Sequence, residues 1–108
     1  MTVNDAIDAL GLEALNLDDG EREIKGGYTG DLLSWVMGRA QADNAWVTIM
    51  TNMNVVAVAQ LTDVACVIIA EGAALADDVI AKAAAQGINL LRSDKTSWEV
   101  IAALSDKV

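Results

Sequence analysis

Four short segments of the chain bring together small and hydrogen-bonding residues that could hold a ligand. Each segment lies between a predicted strand and a predicted helix. Ligands of open parallel sheets bind beyond the carboxyl ends of the strands, and free backbone N–H groups at helix N-termini suit an anion. The pattern therefore predicts a binding edge made of hydroxyl, amide and backbone groups. The segments are residues 26–31, 51–54, 70–73 and 93–96.

The candidate ligand-binding residues are drawn from these segments. Residues 51–54 form the best candidate, because polar or adaptable side chains there separate two apolar elements. Gly26 and Gly27 are interpreted as a turn, since glycines after a strand more often make a turn than hold a phosphate. The candidates are Thr51, Asn52, Asn54, Glu71, Gly72, Gly30, Asp31 and Ser93.

No set of catalytic residues accompanies these segments. The chain has no histidine, which excludes histidine-based triads and most zinc sites. Residues 26–31 match neither the dinucleotide fingerprint nor the P-loop. The acidic pairs at 18–19 and 77–78 are expected to be solvated caps, and Cys66 in its apolar run is expected to be a buried, inert thiol. We predict no enzyme activity, no cofactor and no metal site.

The charge balance restricts the partners. With 7 basic and 16 acidic residues the net charge is −9 at pH 7. Affinity for nucleic acid depends on Lys and Arg neutralising phosphates, so nucleic-acid binding is disfavoured. The apolar runs are much shorter than the ~20 residues of a membrane span, and the N-terminus does not resemble a signal peptide. We expect a cytoplasmic protein that does not bind membranes.

In residues 1–40 the sequence pattern predicts two helices and two short strands. Thr2 caps a helix over residues 3–10, whose apolar positions follow helical spacing. Short strands are predicted at 12–17 and 22–25. A second helix is predicted over 31–40, with Asp31 interpreted as its N-cap.

From residue 45 a regular alternation follows. Strands are predicted at 45–50, 65–70 and 88–92, and helices at 54–62, 77–86 and 97–105, the last with a capping box. Val55, Val56 and Val58 would also suit a strand, and the alternation of elements favours the helix at 54–62. Strands and helices joined by short loops indicate βαβ crossovers, and unbroken apolar strands indicate a parallel sheet covered on both faces. The fold class is therefore α/β: a three-layer α/β/α sandwich with a mainly parallel sheet of four to five strands. The length of 108 residues fits one domain, residues 1–108.

The three tryptophans are expected to fill the core or an interface. They are Trp35, Trp46 and Trp98. Trp35 has apolar neighbours on a predicted helix, which favours a subunit contact because aromatic residues are enriched at interfaces. We expect a homodimer.

Residues 27–37 carry a family resemblance. They read Gly-Tyr-Thr-Gly-Asp-Leu-Leu-Ser-Trp-Val-Met and resemble small stand-alone DRTGG-domain proteins, in which the pattern Gly-x-Tyr-x-Gly-Asp-Leu-Leu-Ser-x-Val-Met recurs. The resemblance continues through residues 46–49, 51–59 and 68–72 to 87–91. It departs from the name-giving residues, since Ala70-Glu71-Gly72 stands where the family has Thr-Gly-Gly, and the Asp-Arg part is replaced around Asn52-Met53.

This resemblance implies a regulatory role. The family looks like the N-terminal domain of HPr kinase/phosphorylase, without the kinase domain. DRTGG domains also occur beside CBS domains in some pyrophosphatases, where they are linked to adenine nucleotides and subunit contact. Stand-alone members accompany redox-complex genes. The missing Arg removes a phosphate partner that the family name implies.

Two functions follow as hypotheses. The first is a non-catalytic regulatory or adaptor domain, dimeric, which binds a small nucleotide-like ligand at the carboxyl ends of the strands. The second is a ligand-free module that docks on a larger redox or metabolic complex. An exposed apolar patch near Trp35 or Trp98 would favour the second, and a deep pocket the first.

Overall fold

The computed structural model describes all 108 residues and contains one five-stranded sheet. The strand order is β1-β5-β4-β3-β2; β2 to β5 are parallel, and β1 pairs antiparallel with β5. In chain order the elements are α1 (Val3–Leu10), β1 (Glu13–Asn16), β2 (Gly27–Thr29), α2 (Leu33–Arg39), β3 (Ala45–Thr48), α3 (Asn54–Thr62), β4 (Cys66–Ile69), α4 (Asp77–Gln86), β5 (Leu90–Arg92) and α5 (Ser97–Ser105).

Apolar side chains cover both faces of the sheet. Helices α1 and α5 contribute to one buried cluster, whereas α2, α3 and α4 contribute to the other. Along β3 the side chains alternate between them: Ala45 and Val47 belong to the first cluster and Trp46 to the second. Burial on both faces explains why the central strands β3 and β4 are almost entirely apolar. The predicted three-layer α/β/α fold is confirmed.

Several helix ends follow their predicted caps. Thr2 caps α1, and Gly87 ends α4 in the left-handed conformation at φ 68°. Only glycine adopts that φ at no steric cost. Thr96 and Glu99 form the predicted capping box of α5. These local signals are short-range hydrogen bonds, which explains why they can be read from sequence.

The strand predicted at 22–25 is wrong. Arg22 instead forms ion pairs with Asp43 and Asp63, at 3.1 and 3.0 Å, and Ile24 is buried in the core. The second strand lies further on, at Gly27–Thr29, where it pairs with β3. Gly27 suits this place because a Cβ there would lie 3.3 Å from the carbonyl oxygen of Ala45.

The tryptophans divide between core and surface. Trp46 is fully buried, while Trp35 is 53% exposed and Trp98 is 82% exposed. The guanidinium carbon of Arg39 lies 3.8 Å from the centre of the Trp35 ring. The expectation of a core position holds for Trp46 alone. No helix is both long and apolar enough to cross a bilayer.

Cys66 is completely buried in β4, and its thiol should not react in the folded protein. Loss of hydration on burial raises the pKa of Cys66 to about 12, although the charge of Arg22 opposes this. At pH 8 we expect no reaction with Ellman's reagent until guanidinium unfolds the chain, because only the thiolate attacks. Rapid, stoichiometric labelling of the native protein would contradict this placement.

Candidate functional site

The four predicted segments lie along one edge of the sheet. Strands β2 to β5 run parallel, so their carboxyl ends, at Thr29, Thr48, Ile69 and Arg92, share that edge. The predicted candidates follow these four ends. Those after β2 and β3 (Gly30, Asp31, Thr51, Asn52 and Asn54) form one half of the edge, and those after β4 and β5 (Glu71, Gly72 and Ser93) form the other.

Asp31 does not cap a helix, so its interpretation as an N-cap is wrong. Helix α2 begins later, at Leu33, and its N-cap Leu32 makes no side-chain hydrogen bond. The Oδ1 atom of Asp31 instead accepts hydrogen bonds from the Thr48 hydroxyl at 2.7 Å and the Ile49 N–H at 2.9 Å. The carboxylate therefore ties the loop after β2 to the end of β3.

The start of α3 has fewer free donors than predicted. Asn52 Oδ1 accepts from the Asn54 N–H at 2.9 Å, and the carbonyls of Asn52 and Met53 accept from the next two N–H groups. These turn bonds leave little room for an anion held by the backbone. The side chains of Asn52 and Asn54 are exposed, and the side-chain amide of Asn54 makes no hydrogen bond within the chain. Side-chain amides, with Thr51 half-buried beside them, are thus the available groups.

The other half of the edge is filled by the chain itself. Glu71 adopts a left-handed φ of 63°, and its Oε2 accepts from the Ser97 N–H, the first residue of α5, at 2.8 Å. Ser93 is buried, and its hydroxyl accepts from the Lys95 N–H at 3.1 Å. The Gly72 N–H donates to the Ser93 carbonyl. A carboxylate therefore occupies the α5 N-terminus, where an external anion was predicted.

Arg92 is a residue of this edge that the sequence did not single out. Its Nη2 donates to the Gly72 carbonyl at 3.1 Å, and its guanidinium lies 3.7 Å from Glu13 and 3.9 Å from Asp94. Its buried Nε has no partner. A basic residue at the last position of a predicted strand was the only available signal. Two carboxylates and a carbonyl already surround it, so its positive charge is largely compensated.

The two principal cavities lie away from residues 51–54. A cavity of about 200 Å³ opens beside β2, β3 and the end of α5, and it is mainly apolar. A second, of about 400 Å³, lies between α1 and α5, and Ser93, Lys95 and Trp98 contribute to its lining. No group of three metal-ligating side chains occurs. The edge offers the exposed side-chain amides of Asn52 and Asn54 as hydrogen-bonding groups for a ligand.

Comparison with known proteins supports the fold. No protein-family model and no curated protein matches the chain. Its structure is similar to the crystal structure of the CBS and DRTGG domains of the regulatory region of Clostridium perfringens pyrophosphatase, complexed with the activator diadenosine tetraphosphate. The TM-score is 0.78 at 13% identity, over 95% of this chain and 45% of that one.

This likeness establishes a fold shared with a regulatory region that contains DRTGG and CBS domains. The chain spans less than half of the pyrophosphatase region. The shared fold agrees with the α/β fold that the DRTGG resemblance of residues 27–37 implied. The more specific likeness to HPr kinase/phosphorylase stays a prediction.

Proposed function

We propose that residues 1–108 form a non-catalytic regulatory domain of the cytoplasm, which assembles as a homodimer and binds a small nucleotide-like ligand. The ligand would lie at the carboxyl edge, over the ends of β2 and β3. The observation that carries this proposal is the pair of exposed amides, Asn52 and Asn54, which project from the start of α3 at that edge. Amides donate and accept hydrogen bonds, as recognition of a base or ribose requires.

The structural neighbour supports a nucleotide as the first ligand to test. That regulatory region was crystallised with diadenosine tetraphosphate. In this chain the half of the edge after β4 and β5 already holds Glu71, so a polyphosphate would meet a carboxylate there. We therefore place the ligand on the Asn52 side and expect its uncharged parts to make most contacts.

Thermal unfolding in the presence of diadenosine tetraphosphate, ATP, ADP and AMP tests this proposal. A ligand at 100 times its dissociation constant adds about 2.7 kcal/mol, and each kcal/mol raises the midpoint by about 4–8 °C in a domain of this size. We expect a shift of at least about 10 °C with one nucleotide. The double variant Asn52→Ala, Asn54→Ala should lose most of that shift.

The matched control is Gln60→Ala, which removes an exposed amide from the same helix outside the site. It should keep the whole shift. Because Asn52→Ala also removes a hydrogen bond to the Asn54 N–H, the ligand-induced shift is compared, not the midpoint itself. An unchanged shift in the double variant would refute the proposed site.

A ligand-free interaction module is the second candidate. It is favoured by the exposure of Trp35 and Trp98 and by the position of both principal cavities away from Asn52. Exposed aromatic side chains are enriched where proteins contact each other. Such a module would dock on a larger redox or metabolic complex. No midpoint shift with any nucleotide would favour this candidate.

A further inference from the structure

We infer that two copies of the chain join through β2 and form one continuous ten-stranded sheet. This inference deepens the proposed function, because it rests on the homodimer proposed above and names the surface that forms it. Strand β2 is the parallel edge of the sheet, paired with β3 on one side only. An exposed strand edge presents unpaired N–H and C=O groups and is a template for another strand.

The backbone groups that face the open edge can be identified from the register. Gly26 accepts from the Ala45 N–H, and the Gly30 N–H donates to Val47, so the groups of even-numbered residues face β3. In a parallel ladder the residues between them point the other way. Gly27 and Thr29 therefore direct their N–H and C=O groups to the open edge.

These groups match a second copy in antiparallel orientation. With a two-fold axis at Tyr28, Gly27 of one copy lies opposite Thr29 of the other. Residues that face each other in this way exchange two hydrogen bonds, and the arrangement occurs on both sides of the axis. The same register brings Lys25 towards Asp31 of the other copy, and opposite charges across a strand pair stabilise it.

The charge distribution leaves this surface accessible to a second copy. Of the 16 acidic residues, residues 24–62 contain only Asp31 and Asp43. Asp31 is bonded to Thr48 and Ile49, and Asp43 is paired with Arg22. A chain of net charge −9 repels its copy, but the segment 24–62, which carries β2, contributes few carboxylates to that repulsion.

Apolar side chains beside the edge extend the contact. Helix α2 packs near β2, and its N-cap Leu32 and its Trp35 are 57% and 53% accessible. On the opposite face the apolar cavity beside β2 also opens at this edge. A three-residue strand alone would bury too little area for a stable dimer, and these flanks supply more.

The other edge of the sheet is protected. Strand β1 carries Glu13, whose carboxylate lies near Arg92, and its register shifts between Ala14 and Asn16. Charges and bulges are the usual means by which edge strands avoid pairing. Strand β2 itself, Gly27–Thr29, carries neither a charged residue nor a bulge, so the two edges of this sheet are not equivalent.

The association is tested by sedimentation equilibrium on the full chain. We expect a mass of twice 11.3 kDa. Thr29→Pro removes an outward N–H that the fold does not use and should raise the dimer dissociation constant at least about tenfold. Thr29→Val keeps that N–H and should remain dimeric. A monomer up to roughly 1 mM, or an intact dimer in Thr29→Pro, would overturn the inference.

If Thr29→Pro does not fold, a charge reversal provides a second test of the proposed edge. Lys25→Glu would place a carboxylate near the partner's Asp31 and should weaken the dimer at least about tenfold. Lys82→Glu on α4 makes the same change in net charge far from β2 and should leave the mass unchanged. Equal effects of the two reversals would refute the proposed edge.

Ligand binding is measured separately, on the same samples. Nucleotide-induced midpoint shifts in Thr29→Pro report on the carboxyl edge, and the mass reports on β2. A dimer without a shift contradicts only the ligand site. A shift in a monomeric wild type contradicts the homodimer but not the ligand site, and an intact dimer in Thr29→Pro contradicts only the β2 interface.

Discussion

Replacing Asn89 with leucine is expected to destabilise the protein by about 3–5 kcal/mol. Asn89 is buried just before β5, and all four of its side-chain hydrogen bonds link distant parts of the chain. Its Oδ1 accepts from the N–H groups of Asp18 and Asp19 at 2.8 and 2.9 Å. Its Nδ2 donates to the carbonyls of Asp19 and Ala65 at 2.9 and 3.0 Å.

The size of this effect follows from what the leucine would leave behind. The Ala65 carbonyl would lose its partner in a buried site, and the two N–H groups and the carbonyl of the Asp18–Asp19 loop would lose theirs in a partly buried one. A buried group left without a partner costs about 1–3 kcal/mol. Guanidinium unfolding followed by circular dichroism measures the loss, with an unchanged slope showing that the unfolded state is the same.

Asn44→Leu is the matched control, because Asn44 is also buried but accepts only one side-chain hydrogen bond, from the Gln41 N–H. Asn44→Leu should lower the free energy of unfolding clearly less than Asn89→Leu does. Equal losses in the two variants, or a loss below about 1 kcal/mol for Asn89→Leu, would mean that the four bonds do not stabilise the fold.

Trp46→Ala is expected to cost about 3–5 kcal/mol, as deletion of a fully buried large side chain usually does. The indole fills the cluster beneath α2 and α3, and its Nε1 donates to the Gly30 carbonyl at 3.0 Å. Trp46→Phe refills part of the space but loses this bond, so about 1–2 kcal/mol is expected.

Thermal and guanidinium unfolding of the Trp46 variants test whether Trp46→Ala loses more stability than Trp46→Phe. The control is Trp98→Ala, whose side chain is 82% exposed and should change the free energy of unfolding by no more than about 0.5 kcal/mol. If Trp98→Ala destabilised the protein as much as Trp46→Ala, the placement of the two indoles would be wrong.

The sequence predicted most of the fold because its signals were local or periodic. Unbroken apolar runs located β3 and β4, and Thr96 with Glu99 located the start of α5. Its failure at β2 has a physical reason. Gly27 is a poor strand former by propensity, yet an edge strand that lies close to Ala45 needs a small residue. Alternation at residues 22–25 suggested a strand instead.

The sequence predicted where the candidate residues lie, but not which groups they contact. Parallel topology dictated that all the segments meet at one edge. Long-range contacts decided what each residue does there: Glu71 fills the start of α5, and Asp31 holds Thr48. Asn89 was interpreted only as part of a strand. Its partners lie about 70 residues away for the Asp18–Asp19 loop, and no local pattern encodes them.

The antiparallel pairing of β1 with β5 has a consequence for how the chain folds. Glu13 is opposite Arg92, and Asn16 donates to Ile88 across 72 residues of sequence. During synthesis β1 can therefore pair only after β5, at Leu90–Arg92, has been made. Because closing so long a loop costs entropy before any contact offsets it, folding should be slower than in a helical protein of equal length. Of the five strands β5 is synthesised last, and it is the strand with which β1 pairs.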